Sequence, residues 1–331
     1  MLLEHPTRRR AIAILAATAA GLTAGEADPS RPAPDYEWRG LCMGTDARIL
    51  FCGIDQASAH ALAAIAVAEI ERLERALSLY RRDSEICRLN EAQALHLPSG
   101  DMRRALALGL AIAEATNGLF DPTVQALWET YVDWFANAPA AGLPPESFIL
   151  AARSLVDWKR IALGANLIEL GDRQRITLNG LAQGYVTDRV ADLLRAQGVE
   201  HVLVDLGEQR ALGPRGSGTP WLIASDSGKH FKLVHGALAT SEGAGCVLGA
   251  AGAAHHLFDP RTGRSAARWQ RITVHHPSAA VADALSTAIY AAAPDEIERM
   301  LPRMPDVAVL AVDRQGRERH WNFDRVAGVS I

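Results

Sequence analysis

The sequence predicts an α+β fold in which mixed or antiparallel sheets pack with helices. Three observations carry this. Stretches such as "CMGTDARILFCG" and "RITVHH" have strand character, and "QASAHALAAIAVAEIERLERALSLY" has the apolar period of a helix. Strands and helices also follow one another in mixed order, without the strict β-α-β alternation of a doubly wound parallel sheet. Of 331 residues, 49% are hydrophobic and 22% charged, enough for a substantial core. A formal charge of −4 leaves no basic field to hold nucleic acid. The body of the chain has no unbroken apolar run of membrane-spanning length.

The N-terminus reads differently from the rest. Arg8-Arg9-Arg10 precede the apolar run Ala11 to Leu22, and small residues follow up to Ala27. Those are the three parts of an export signal, here residues 1–27. Consecutive arginines before a mildly apolar segment predict the twin-arginine route, hence a periplasmic protein. A Pro-rich linker over residues 28–38 then leads to one domain, residues 39–331.

Within that domain the first strand is "CMGTDARILFCG", and an amphipathic helix ends near Tyr80. "RRDSEICRLNEAQ" is a loop with a short helical turn that Asp83 or Ser84 can cap. Met102 to Thr116 is a second helix, stopped at Asn117-Gly118. The Ala/Pro/Gly-rich stretch Asp133 to Pro145 reads as a surface excursion, and "LIELGDRQRITLN" as a hairpin turning at Gly171-Asp172. A helix from Tyr185 to Gln197 precedes the strand "HVLVDLG". "WLIASD", "FKLVHGALATS", "HHLFDP" and "RITVHH" are further strands. Helices around Ala284–Ala293 and Asp295–Met304 and the strand "VAVLAVD" close the chain.

Several constellations carry chemistry. Asp283 and Thr287 stand four apart on a helix, so they share one face, with Ser286 beside them. A carboxylate and hydroxyls are hard oxygen ligands that suit Mg²⁺ with water and substrate phosphate completing its shell. The same Asp near a helix start also suits a capping role, and spacing alone leaves both readings open. Gly180 and Gly184 in "NGLAQGYVTDRV" surround a turn that opens a helix, where backbone amides can approach phosphate. The stretch is neither a Walker A loop nor G-x-G-x-x-G. Each adjacent pair, His255-His256 and His275-His276, points to opposite faces of its strand, so one of each pair at most serves a site. Tyr80 and Phe120 near polar loops offer stacking faces or core rings. Four cysteines, Cys42, Cys52, Cys87 and Cys246, show no metal-ligand spacing and read as structural.

Taken in order, "MGT" (Met43–Thr45), "LSLYRRDSEICRLN", "TNGLFDPTV", "NGLAQGYVTDRV", "LVDLG", "LATSEG", "HLFDPRTG" and "VADALSTAI" resemble the ApbE family of FAD:protein FMN transferases across nearly the whole mature chain. The resemblance implies a T-fold-related, two-lobed α+β architecture. It implies Mg²⁺ held by Asp283, Thr287, Ser286 and the Gly180 carbonyl, and FAD as substrate. It also implies His256 as the base that takes a proton from a target threonine (or serine) of an exported acceptor protein, with AMP leaving. Met43, Tyr80, Leu119, Phe120, Asp121, Thr177, Gln183 and Phe258 are the implied FAD-binding positions. The chain departs from the usual pattern at Thr177, where many members carry Asp, and at Gln183, where Lys or Glu is usual. Asn179 replaces another small residue or Gly, and Glu208 replaces the second glycine of a Gly-Gly pair. The version "LNGLAQGYVTDRVADLL…VDLGE" resembles the NosX subgroup, which implies a NosR-type, membrane-associated acceptor in nitrous oxide reductase maturation. A flavin-binding protein, a Mg²⁺-dependent FAD pyrophosphatase and a solely structural maturation partner are the alternatives.

Overall fold

The computed structural model describes residues 34–138, 142–216, 218–224 and 230–331. The expected export signal and residues 28–33 of the expected linker lie outside them. The rest of the linker does not persist to residue 38, because a strand already begins at Tyr36.

An eight-stranded antiparallel sheet organises the chain. Its strands are β1 (Tyr36–Cys42), β2 (Thr45–Phe51), β3 (Val202–Asp205), β4 (Gln209–Leu212), β5 (Gly236–Glu242), β6 (Trp269–His276), β7 (Ala308–Asp313) and β8 (Glu318–Trp321), and they neighbour one another in that order. Residues along each strand alternate between two cores, as the pleat requires. Ile49, Phe51, Val202, Val204, Ile272, Val274 and Val309 face the helices. Leu50, Leu203, Leu238 and Leu310 face a three-stranded sheet carrying Trp221, Phe231 and Leu233.

Helices enter at two places. Between β2 and β3 come α1 (Gln56–Leu77), α2 (Glu85–Ala92), α3 (Gly100–Ala115), α4 (Gln125–Asn137), α5 (Glu146–Arg153) and α6 (Asn179–Ala196). Between β6 and β7 come α7 (Ala279–Tyr290) and α8 (Pro294–Met300). Helices α4 and α5 have their own small core, built from Leu127, Tyr131, Phe135, Ile149 and Phe258. Among the described residues no helix is long and apolar enough to cross a membrane, and the four cysteines are free.

Ser84 caps α2, its hydroxyl accepting from Cys87 N, and Ser99 caps α3. Four local expectations are corrected. The strand expected over "CMGTDARILFCG" is instead the end of β1, a turn at Met43-Gly44 and then β2, with Cys42 paired to Thr45. Met43 takes a left-handed φ of 52°, which is uncommon for a non-glycine residue and hides the turn from the sequence pattern. "LIELGDRQRITLN" is not a hairpin. Leu167–Glu169 pairs with strands at 94–96 and 162–163, while Asn90 holds the Ile176 backbone on both sides, at 2.8 and 2.7 Å. Helix α6 starts at Asn179 rather than Tyr185, and α4 runs on to Asn137, into the stretch expected to be a surface excursion.

Candidate active site

Helices α6 and α7 approach with almost no side chains between them. A Cβ on Gly184 would collide with the Ala279 carbonyl and the Ala280 Cα, so glycine is required there by the neighbour rather than by a turn. One turn earlier, a Cβ on Gly180 would lie 3.0 Å from Thr287 Oγ1 and 3.3 Å from the Phe120 ring. Close approach therefore brings Gly180, Gly184, Asp283 and Thr287 together.

The capping reading of Asp283 is overturned. Ser278 is the N-cap of α7, accepting from Val281 N. Asp188, from α6, accepts from the N–H groups of Ala279 and Ala280 at 2.8 and 3.0 Å and from the Ser278 hydroxyl. With those orphan donors satisfied, Asp283 in the second turn has a different partner. Its Oδ2 accepts the Gly184 N–H at 3.1 Å. In an α-helix that amide pairs with the Gly180 carbonyl, so Asp283 competes for the donor that would otherwise be Gly180's alone.

Burial and the charge of Asp188 push the Asp283 carboxyl up to about 7, the direction expected of a desolvated acid without a cationic partner. Hydroxyls cluster one turn further along α7. Ser286 Oγ lies 2.8 Å from Ser241 Oγ and donates to the Asp283 carbonyl, and Ser241 Oγ is 3.4 Å from Thr287 Oγ1. Ser241 comes from the "LATSEG" strand end. One buried carboxylate with these hard oxygens on the same helix fits a magnesium ion that keeps open positions. Among the described residues no group of three or more His, Cys, Asp or Glu is placed to hold a metal, so a cation here would rest on carboxylate, hydroxyl and carbonyl donors.

A second wall lies at the β1–β2 turn. Met43 N donates to Glu74 Oε1 at 2.7 Å, and a Cβ on Gly44 would touch the Tyr80 ring at 3.6 Å. Tyr80 is 40% exposed. Its hydroxyl meets Asn179 Nδ2 at 3.5 Å. Gln183 Nε2 donates to Thr45 Oγ1 at 2.8 Å, and its amide lies against Gly207, which has a φ of +106°. The "MGT", "NGLAQGY" and "VDLGE" motifs meet at that one amide.

His256 belongs to the "HLFDP" segment. Its backbone N–H donates to the Cys246 carbonyl, which also lies 3.3 Å from its Nδ1. Burial and the adjacent His255 push the imidazole down to about 4, so it is neutral at physiological pH and able to accept a proton. No protein group among the described residues bonds its Nε2. His255 is spent differently: its Nε2 contacts the Ala266 carbonyl at 2.8 Å and its ring meets Tyr290 edge-on. His275 and His276 contact backbone groups at His235 and Ser278.

Other expected positions hold the scaffold. Asp121 accepts from Thr123 N, Thr123 Oγ1 and Trp158 N, and burial raises its carboxyl. Leu119 and Phe120 are buried, and Phe120 wedges between Gly109 and Gly180. Thr177 Oγ1 accepts from Asn179 N and helps open α6. Phe258 packs on Tyr131 at 4.9 Å, inside the core of α4 and α5. Sequence reasoning missed Glu74, Asp188 and Ser241, whose partners are distant in the chain.

The sequence pattern of the ApbE family matches residues 43–311. The chain belongs to the ApbE family. An FAD:protein FMN transferase of Klebsiella pneumoniae is 25% identical over 299 residues, covering 84% of each chain. One from Vibrio cholerae is 27% identical over 280 residues, covering 78% of this chain and 82% of its own. The ApbE protein of Thermotoga maritima superposes with a TM-score of 0.77 at 25% identity, covering 86% of this chain and 96% of its own. The Vibrio cholerae flavin transferase ApbE shares the fold, with a TM-score of 0.74 at 23% identity, covering 88% and 97%. This ApbE-family chain thus has the α+β architecture of its relatives, and its Asp283 cluster and His256 lie within the matched span.

Proposed function

We propose that this chain is an FAD:protein FMN transferase that moves FMN from FAD onto a threonine or serine hydroxyl of an acceptor protein, releasing AMP. The observation that carries the reading is the buried Asp283 carboxylate, which accepts the Gly184 N–H, has no cationic partner among the described residues, and shares its helix with the Ser286 and Thr287 hydroxyls that meet Ser241. Family membership and the names of its relatives support it.

In this reading Asp283, Thr287, Ser286 and the Gly180 carbonyl hold Mg²⁺. When bound, the ion offsets phosphate charge and supports the leaving phosphate. Tyr80 and the Met43 turn receive the flavin side. The acceptor hydroxyl attacks the FMN-side phosphorus, forming the new P–O bond as the bond from that phosphorus to the bridging oxygen breaks. AMP departs with that oxygen, and the hydroxyl proton passes to His256 Nε2. Helix α7 keeps Asp283 and Thr287 in register through the Ser278 and Asp188 caps.

The Arg8-Arg9-Arg10 cluster and the apolar run after it support twin-arginine export to the periplasm. The "LNGLAQGYVTDRVADLL" and "VDLGE" stretches, with Gln183 and Glu208, support a NosX-type role with a membrane-associated, NosR-like acceptor. Incubation with FAD, Mg²⁺ and an acceptor domain tests the activity. Covalent flavin on the acceptor supports transfer, AMP without it means hydrolysis by water, and neither product means binding alone.

A further inference from the structure

Four carboxylates stand around the junction of α6, α7 and the start of β4, and they are not equivalent. Asp188 is neutralised by Arg210 at 2.7 Å and by the N-terminus of α7. Asp205 is neutralised by Arg48 at 3.0 Å and receives a hydrogen bond from Gln209. Asp283 and Glu208 have no basic partner among the described residues. Both are more than nine-tenths buried, with exposures of 4% and 6%. Each receives one backbone N–H from the protein, Gly184 N to Asp283 Oδ2 and Thr240 N to Glu208 Oε2. The second oxygen of each carboxylate has no protein donor among the described residues.

Hydrogen bonds triangulate the two acids without reference to their charge. Gly184 and Thr187 lie on one face of α6, a turn apart. Gly184 N reaches Asp283, and Thr187 Oγ1 donates to the Glu208 carbonyl at 3.3 Å. From the other side, Thr240 N holds the Glu208 carboxylate, while the next residue, Ser241, meets Ser286 and Thr287. Glu208 therefore stands between α6 and the strand end that carries Ser241, the two elements that also flank α7 at Asp283. Gln183, a neutral amide committed to Thr45, supplies no compensating charge.

Two desolvated carboxylates without a cation are costly, and a shared cation is the ordinary relief. We infer that Glu208 is a second carboxylate of the Asp283 site, so that this chain holds a divalent cation before its dinucleotide arrives. The inference rests on the metal-binding reading of Asp283 given above. A site with one carboxylate depends on substrate phosphate to complete and hold the ion, whereas two buried carboxylates retain it alone. Gly207 accommodates the arrangement with its left-handed φ, leaving Glu208 to enter β4 side chain inward.

The test uses the full mature chain, freed of dinucleotide and metal, titrated with Mn²⁺ and followed by the loss of the free-ion EPR signal. Wild type binds one Mn²⁺, Glu208→Gln weakens binding about 10–100-fold, and Asp283→Asn abolishes it. Loss on Asp283→Asn with unchanged affinity in Glu208→Gln overturns the inference while leaving the Asp283 site standing. Unchanged affinity in both variants overturns the metal reading as well. If Glu208→Gln does not fold, wild type still decides: no Mn²⁺ bound without dinucleotide overturns the inference, and a bound ion lost in Glu208→Ala sustains it. FAD and acceptor are absent throughout, so failure of flavin transfer would leave this result untouched.

Discussion

The Gly184 N–H donates to Asp283 Oδ2 at 3.1 Å, joining the second turns of two helices whose backbones touch. Asp283→Asn preserves the shape of this contact and removes the charge. It lowers Mg²⁺-dependent AMP release by about 10²-fold or more, the scale at which single electrostatic contributors act. The check is steady-state turnover, with circular dichroism confirming the fold.

The same carboxyl makes a pH prediction. Its folded pKa of about 7 lies above an unfolded value of about 3.9, so the folded state binds more protons between them. Stability of the metal-free chain from this group is therefore full below about pH 4 and falls as pH rises toward 7. Melting curves in chelator across that window show this slope in wild type and a shallower one in Asp283→Asn, where Glu208, also raised by burial, still contributes.

Asp188, not Asp283, anchors the start of α7. Asp188→Ala leaves Arg210 with Asp192 alone of its two carboxylate partners and frees the amides of Ala279 and Ala280. Breaking a pair this buried costs about 3–5 kcal/mol, measured by urea unfolding. A loss below about 1 kcal/mol, the scale of a surface pair, would contradict the assignment.

His256 and His255 separate by readout. His256→Ala slows single-turnover transfer about 10²–10⁴-fold while FAD still binds. His255→Ala leaves Ala266 and Tyr290 without their contacts and costs about 1–3 kcal/mol of stability, with turnover per folded molecule largely kept. The depressed His256 pKa, about 4, places its acid limb near pH 4 rather than near about 6.5. At saturating Mg²⁺ the transfer rate stays flat down to about pH 5.

Export is tested by fractionation. Replacing Arg8, Arg9 and Arg10 together by Lys blocks delivery through the twin-arginine route. Precursor accumulating in the cytoplasm is the expected outcome, and unchanged periplasmic protein contradicts it.

Much of this fold is legible because local chemistry agrees with it. Ser84 and Asn117-Gly118 mark helix ends that the structure keeps, and the order of strands and helices is enough to give an α+β sheet. The β1–β2 turn is not legible, because Met43 takes a left-handed φ without being Gly or Asn. The start of α6 is hidden because Gly180 and Gly184 imitate a loop, whereas their smallness serves contact with α7. For the site, the four-residue spacing of Asp283 and Thr287 gives the pair but cannot separate ligand from cap. That choice depends on Asp188, more than ninety residues earlier in the chain. Asp121 and Phe258, expected at the flavin site, contact Trp158 and Tyr131, partners that only the tertiary packing supplies.

The most direct test is a single-turnover reaction of the mature chain with FAD, Mg²⁺ and an acceptor domain carrying its target threonine. AMP and acceptor-bound FMN are quantified together. The account predicts the two products in equal amounts, both lost in Asp283→Asn. AMP formed without flavin on the acceptor, or flavinylation that survives Asp283→Asn, would contradict it.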